Sequence, residues 1–430
     1  MVRRRDVAWD AAALAAVKLA VSLAVLLAGF RQVSDDDYAR VVISQQFAHA
    51  PRLDPSGTSW LPFPFWVEGT AMMLAGRTLG VARGLAVALG CAVVAVPYVA
   101  MRSAGVRRGS AVAASVVALA LPWNAWLGAA TVPEGWSGAL VAGALIAAGL
   151  PAVHGWAALA LLAASLSRYE VWPASVVFAG ACYVKARRGG EARGSAIAAA
   201  AVAMAGPAAW MAWNAHAHGS AVHFLARVAA FRHAVGAADV PITAKLLGYP
   251  LALFAEAPEA GLLGLVGAVG LARRDLRSRW LIPALAAGAT LAFLVWGDLH
   301  DGAPTHHPAR ALVALWWIFS GMGADAVGEA VSSQAPRRAL LGASAVAVAW
   351  CVTLPWRWAR APGESTMERR EAQIARGEAM RSTSATRARV VPCAFEHFAL
   401  LAAWGAPERA TVLPATHQPV TADCPAVTVE

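Results

Sequence analysis

The sequence predicts an all-α integral membrane protein. It has about 11 transmembrane helices, interfacial helices in the first outer loop and a small extracytoplasmic C-terminal region. Three observations carry this prediction. Of the 430 residues, 58% are hydrophobic and only 14% are charged, whereas a soluble globular protein is about one quarter charged. The apolar residues, many of them Ala, Val, Leu and Gly, come in blocks of the roughly 17–25 residues that cross a bilayer as helices. The basic residues sit in short clusters between those blocks, the pattern of cytoplasmic loops. The formal charge of +10 is therefore read as a topology signal, and nucleic-acid binding is not indicated.

The first block, Val7–Phe30, follows three arginines, Arg3 to Arg5. It is longer than the about 7–15 residues of a signal-peptide core and no small-residue cleavage site ends it, so it reads as a retained helix over 8–30. The other basic clusters are Arg102, Arg107 and Arg108; Lys185, Arg187, Arg188 and Arg193; Arg273, Arg274, Arg277 and Arg279; and Arg337 and Arg338. Helices over 80–101, 110–127, 135–152, 155–167, 171–184, 195–213, 251–272, 280–297, 310–328 and 338–355 put every cluster on one side. The segment Leu61–Gly76 is apolar, but it begins with Pro62 and Pro64 and contains Glu68. Counted as a span it would reverse every later loop, so it is expected to lie in the interface within the outer loop 31–79. Residues 1–355 then form one membrane module and 356–430 a small outer region, with a helix over Glu364–Arg389 and an irregular remainder. Cys91, Cys182 and Cys351 lie in apolar blocks and read as core residues. Cys393 and Cys424 lie in the polar tail, where an oxidising compartment would allow them to pair.

The strongest local feature is Ser34-Asp35-Asp36-Asp37-Tyr38, at the outer end of the first helix. Three adjacent carboxylates repel one another, which favours raising at least one pKa and suits a general base. The same residues also fit an acidic helix cap, and Arg40 within one turn reads as a weak ion-pair partner. Trp60 opens an aromatic and proline run suited to an interface belt or to stacking on a sugar. Glu68 is an acid at membrane depth. Glu134, after Pro133, is a second acidic site on the same side, and Arg168 with Glu170 forms a third polar island. The loop Gly297–Arg310 packs Asp298, His300, Asp301, His306, His307 and Arg310 together. Its spacing is not specific for a metal, and the Arg310 guanidinium matches phosphate geometry. His216, His218 and His223 read as interface residues.

This arrangement resembles the GT-C superfamily of lipid-linked-sugar glycosyltransferases. Asp35-Asp36-Asp37-Tyr38 with the helix-like Ala39–Ala50 looks like that superfamily's acidic motif. Trp60-Leu61-Pro62-Phe63-Pro64 resembles its Trp/Pro-rich stretch, Glu134 its second acid, and the loop ending in Arg310 its lipid-phosphate loop. The resemblance covers about residues 1–325 in layout. It departs from the superfamily in having three aspartates instead of an acidic pair, and in a tail far smaller than the outer domains of oligosaccharyltransferases. What it implies is an inverting transfer of sugar from a polyprenyl-phosphate donor to the hydroxyl of a lipid, glycan or protein acceptor, on the extracytoplasmic side of a bacterial plasma membrane. Asp36 would be the base, with Asp35 and then Asp37 as alternatives. Trp60, Glu68, Glu134, Arg168, His306, His307 and Arg310 would bind substrate. No cofactor is implied, and a divalent ion is compatible with this chemistry without being required. A transporter or flippase of lipid-linked sugars and a non-catalytic envelope scaffold are the competing readings. Both functional readings expect Asp36 and Arg310 to face one cavity.

Overall fold

A computed structural model describes residues 4–150, 155–188, 193–234, 240–302, 307–331, 350–360, 370–383, 385–415 and 424–429. The first apolar block forms α1 (Arg4–Leu27). Two short helices follow in the first outer loop, α2 (Asp36–His49) and α3 (Phe63–Ala75). Pro64 sits in the first turn of α3, where its missing N–H costs nothing. The next blocks give α4 (Leu79–Val93), α5 (Ala95–Ser103), α6 (Arg108–Ala120), α7 (Pro122–Leu127), α8 (Glu134–Ala148), α9 (Gly155–Ser165), α10 (Trp172–Arg187) and α11 (Arg193–His218). Beyond them come α12 (His223–Ala234), α13 (Ile242–Ala255), α14 (Pro258–Gly270), α15 (Arg274–Leu299), α16 (Val313–Val331) and α17 (350–358). Among the described residues, five helices are long and apolar enough to cross a membrane: α1, α4 with α5, α11, α15, and Pro308–Val331. The protein is an integral membrane protein built mostly of helices.

Two expected spans are broken. The helix expected over 110–127 divides at Leu121 into α6 and α7. The helix expected over 251–272 starts at Ile242 and is a pair, α13 and α14, bent by 98°. Pro258 opens α14, and a residue before proline is pushed out of the helical region, so the helix breaks there. The span expected over 338–355 falls largely outside the described residues. Of the three cysteines expected in the core, Cys182 is buried, Cys91 is partly buried and Cys351 is exposed.

The bundle carries ionic clusters at both ends. At one end Arg108 pairs with Asp10 at 2.6 Å, Arg279 with Asp325 at 2.9 Å, and Arg107 with Glu329 at 3.6 Å. Two of the predicted same-side loops, those of Arg107 with Arg108 and of Arg279, contribute to this end. Arg310 lies 15 residues before Asp325, which is roughly 22 Å of helical rise, so it stands at the opposite end.

The tail is not all-α. It contains α18 (Glu371–Ser382), α19 (His397–Trp404) and strands β1 (Ala388–Val391), β2 (Ala410–Val412) and β3 (Ala426–Val429). The sheet order is β2-β1-β3, with β2 parallel and β3 antiparallel to β1. Strands of three or four residues are too short for alternation to be read from sequence. A disulfide joins Cys393, just after β1, to Cys424, just before β3. The tail shares a core with the first outer loop: Tyr38, Val41 and Met72 pack with Met380, Val390 and Leu400. Gln45 adds a hydrogen bond to the Ala402 carbonyl at 2.8 Å, and Arg77 pairs with Glu408 at 2.8 Å.

Candidate active site

The three adjacent aspartates have three different partners. Asp35 accepts two hydrogen bonds from Arg370 of the tail, at 2.9 and 3.0 Å. Asp37 is 2% exposed and folds back on its own turn. Its carboxylate accepts the backbone N–H groups of Val33 at 3.1 Å, Ser34 at 3.2 Å and Thr131 at 3.1 Å. The Thr131 hydroxyl returns a bond to the Asp37 carbonyl at 2.8 Å. Asp36 is the open one: 34% of its side chain reaches solvent while one oxygen accepts from Arg310 at 3.0 Å. Side chains at successive positions of a helix point in different directions, and here each direction meets a different element.

Arg310 lies in a short 3-10 turn, Pro308–Leu312, that leads into α16. It also holds Glu134, the first residue of α8, at 2.7 and 2.9 Å, and reaches the Ser34 hydroxyl at 3.3 Å. Arg168 grips the same Glu134 oxygen at 2.8 Å and Glu170 at 2.7 Å. The result is one buried chain of alternating charge: Asp36, Arg310, Glu134, Arg168, Glu170. A small cavity behind it is lined by Glu134, Ser137, Glu170, Thr290 and Arg310. Gly138 permits the close approach of α8 and α16. A Cβ there would sit 2.5 Å from a Val313 methyl, too near for any side chain without moving a helix.

The electrostatics separate the aspartates further. Burial raises the pKa of Asp36, but the Arg310 and Arg40 charges overcome it and hold the carboxyl below its ordinary value. Burial pushes Asp37 up to about 6 against the pull of Arg310 and its backbone donors. One raised carboxyl was expected from mutual repulsion; the cause found is desolvation, and the raised group is not the open one. Burial likewise pushes Glu68 up to about 7, only partly opposed by the Ser44 hydroxyl donating to it at 2.8 Å. Glu68 and Thr131 line an apolar cleft with Leu85, Leu89 and Trp136.

Arg40 is not paired with the aspartates as the sequence suggested. Its guanidinium lies 4.6 Å from the Trp60 ring centroid and 5.6 Å from that of Phe65. Trp60 is thus spent on Arg40. His307 packs against Trp123 at 5.5 Å, with a left-handed backbone of φ 51°. His306 lies outside the described residues. In the same loop Asp298 meets Arg232 at 2.6 Å and Asp301 meets Lys245 at 2.7 Å, so both carboxylates face cations. A divalent ion needs several converging oxygens. The carboxylates around Asp36 converge on guanidiniums instead, so this donor set does not fit one. Among the described residues the one grouping of metal-ligand types is Cys393, Glu396 and Cys424, and its two cysteines are joined to each other.

Asp36, Glu134, Arg168 and Arg310 are therefore brought together, and Glu68 and Trp60 lie on the neighbouring helix and loop. Sequence reasoning missed Arg370 and the backbone role of Thr131. Neither had a local signal, since each acts on a residue roughly 90 to 340 positions away.

The fold and site define a polytopic membrane protein with a buried ionic centre, opened by one carboxylate, at one end of its helix bundle. No family model matches the sequence, and no curated protein matches it either. Among solved structures, ArnT from Cupriavidus metallidurans, bound to undecaprenyl phosphate, matches over 94% of this chain and 88% of its own, at 16% identity and a TM-score of 0.54. The archaeal oligosaccharyltransferase AglB from Archaeoglobus fulgidus, in complex with an inhibitory peptide and a dolichol-phosphate, matches over 86% of this chain at 13% identity and a TM-score of 0.49. This chain spans 57% of the length of AglB. The likeness to ArnT is one of fold, shared over nearly the whole of both chains.

Proposed function

We propose that the protein is a membrane glycosyltransferase that moves a sugar from a polyprenyl-phosphate-linked donor to an acceptor hydroxyl, with inversion at the anomeric carbon. The observation that carries this reading is the Asp36–Arg310 contact at 3.0 Å, in a chain with the fold of ArnT. An open carboxylate held against a buried guanidinium places a base next to a site for negative charge. Asp36 is preferred to Asp37 in this reading, because both Asp37 oxygens already accept backbone N–H groups. The acceptor oxygen loses its proton to Asp36 and attacks the anomeric carbon. The bond to the phosphate oxygen breaks with its electron pair. Negative charge arriving with the donor offsets the field of Arg310 and Arg40 and raises the basicity of Asp36. Arg310 and Arg168 hold Glu134, and through it the geometry of the centre.

In this reading the helices make about 11 spans, counting α13 with α14 as one and the shorter apolar helices as crossings. The basic end faces the cytoplasm and the Asp36 end faces outward, by the positive-inside rule. Residues 1–355 form the membrane module and 356–430 an outer region that braces its first loop. The chemistry calls for no cofactor. The test is transfer of radiolabelled sugar from polyprenyl-phosphate donors by the purified protein. Wild-type transfer that Asp36→Asn abolishes supports the reading. Transfer from no donor sinks it and favours a flippase, and full activity in Asp36→Asn removes the assigned base.

A further inference from the structure

Four arginines surround the aspartates, and three of them are held by carboxylates at 3.0 Å or less: Arg310 by Asp36 and Glu134, Arg168 by Glu134 and Glu170, and Arg370 by Asp35. The fourth, Arg40, is different. It is 3% exposed, and its Nε and Nη1 have no hydrogen-bond partner among the described residues. Glu134 and Asp36 attract it electrostatically, yet neither makes an ion pair with it. Its guanidinium lies over the face of Trp60, with Phe65 beyond. A cation over an aromatic face recovers part of the lost hydration, but a ring offers no acceptor for the N–H groups. Removing a guanidinium from water without an acceptor is strongly unfavourable, so the free protein holds Arg40 at a cost. The neighbours explain how it is held: α2 carries Arg40 one helical turn after Asp36, and Trp60 fixes the plane of its guanidinium.

We propose that Arg40 is the substrate-binding cation of this site, and that its missing partner is the phosphate group of the substrate. The assignment rests on the glycosyltransferase reading above. An anion that went to Arg310 or Arg168 would first have to displace Asp36 or Glu134. At Arg40 it displaces no carboxylate and satisfies donors that are otherwise unmet. Arg310 is then a positioning residue that holds Asp36 and Glu134, while Arg40 takes the phosphate. The site accepts a phosphate monoester or diester, whether carried on a lipid or free.

The test is thermal unfolding of the full-length protein in detergent, with undecaprenyl phosphate, with the uncharged polyprenol of equal length, and with inorganic phosphate. Wild type is expected to be stabilised by undecaprenyl phosphate and far less by the polyprenol. Arg40→Met is expected to unfold, without ligand, at the wild-type temperature or above, because a buried unmet charge has gone. It should bind undecaprenyl phosphate roughly tenfold or more weakly, the loss of one charge-assisted contact. A merely structural arginine would give the reverse: a less stable free protein and an unchanged ligand shift, which would overturn the assignment. Should Arg40→Met fail to fold, Arg40→Lys carries the test, with weakened binding expected and unchanged binding overturning it. An Arg40-dependent shift with inorganic phosphate alone would keep the phosphate site and reject the lipid carrier. No shift with either phosphate in wild type would sink the glycosyltransferase reading together with this one. A wild-type shift retained in Arg40→Met sinks only the role of Arg40.

Discussion

The guanidinium of Arg310 lies 3.0 Å from the carboxylate of Asp36, 274 residues earlier in the chain. It holds Glu134 with its remaining edge, at 2.7 Å. Three segments far apart in the sequence are thus joined through one side chain that is 5% exposed.

Breaking a buried pair strands the partner charge, at a cost of about 3–5 kcal/mol. Arg310→Met is therefore expected to lower unfolding stability by that order. Adding Glu134→Gln to it should cost less than the sum of the two single changes, because the second removes a charge that the first left with Arg168 as its one remaining ion-pair partner among the described residues. A double-mutant cycle from unfolding in detergent checks this. Simple additivity would show that the two residues do not act as a pair.

Asp36→Asn and Asp37→Asn are expected to fail in different ways. Asp36→Asn should keep the fold and lose transfer. Asp37→Asn replaces one of two accepting oxygens by a donor, beside the backbone N–H groups of Val33, Ser34 and Thr131. Losing hydrogen bonds to a charged group costs about 1.5–3 kcal/mol, so a lower melting temperature is expected, with activity falling in proportion to folded protein. Melting curves beside transfer rates separate the two. Equal melting temperatures would contradict the structural role of Asp37.

Glu68 gives a pH signature. Burial raises its folded-state pKa from 4.5 to about 7. Between those values the folded protein binds more protons than the unfolded chain, so its stability falls as pH rises, by roughly 3 kcal/mol in all, and levels off above pH 7. Glu68→Gln cannot ionise and still offers an oxygen to Ser44. It should match wild type near pH 4 and exceed it near pH 8. Parallel stability–pH curves for the two proteins would rule this out.

Arg370 ties the tail to the first outer loop through Asp35. Arg370→Met should strand a carboxylate that is 9% exposed and loosen the segment 385–415. Limited proteolysis should then cut the tail faster while the bundle stays intact. Asp35→Asn should do the same, and the double variant should be little worse than either, since both break one contact. Unchanged proteolysis would show the tail to be held by its shared core alone.

Most of the bundle was legible because a span needs a property that any window of sequence displays: enough consecutive apolar residues. The basic clusters were equally legible. Residues from two of them meet Asp10, Asp325 and Glu329 at one end, while Glu134 and Arg310 meet at the other. The bend between α13 and α14 was not read, although Pro258 was its local signal. The three strands of the tail were too short to show a period.

The candidate site was legible as a neighbourhood and not as a set of roles. Asp36, Glu134, Arg168 and Arg310 share one end of the bundle because each lies at the same end of its helix, which charge patterning predicts. Nothing in Asp35-Asp36-Asp37 says which carboxylate will be open. That depends on Arg370, on Thr131 and on Arg310, each brought by a separate element. The sequence alone determined that this chain is a helical membrane protein with its basic loop clusters gathered on one side, because hydropathy and charge act on the bilayer segment by segment. Only the tertiary structure decided that Asp37 is a buried pin, that Asp36 is open, and that Nε and Nη1 of Arg40 have no hydrogen-bond partner among the described residues. Burial and hydrogen bonding belong to pairs of residues, and those pairs exist only once distant segments have packed.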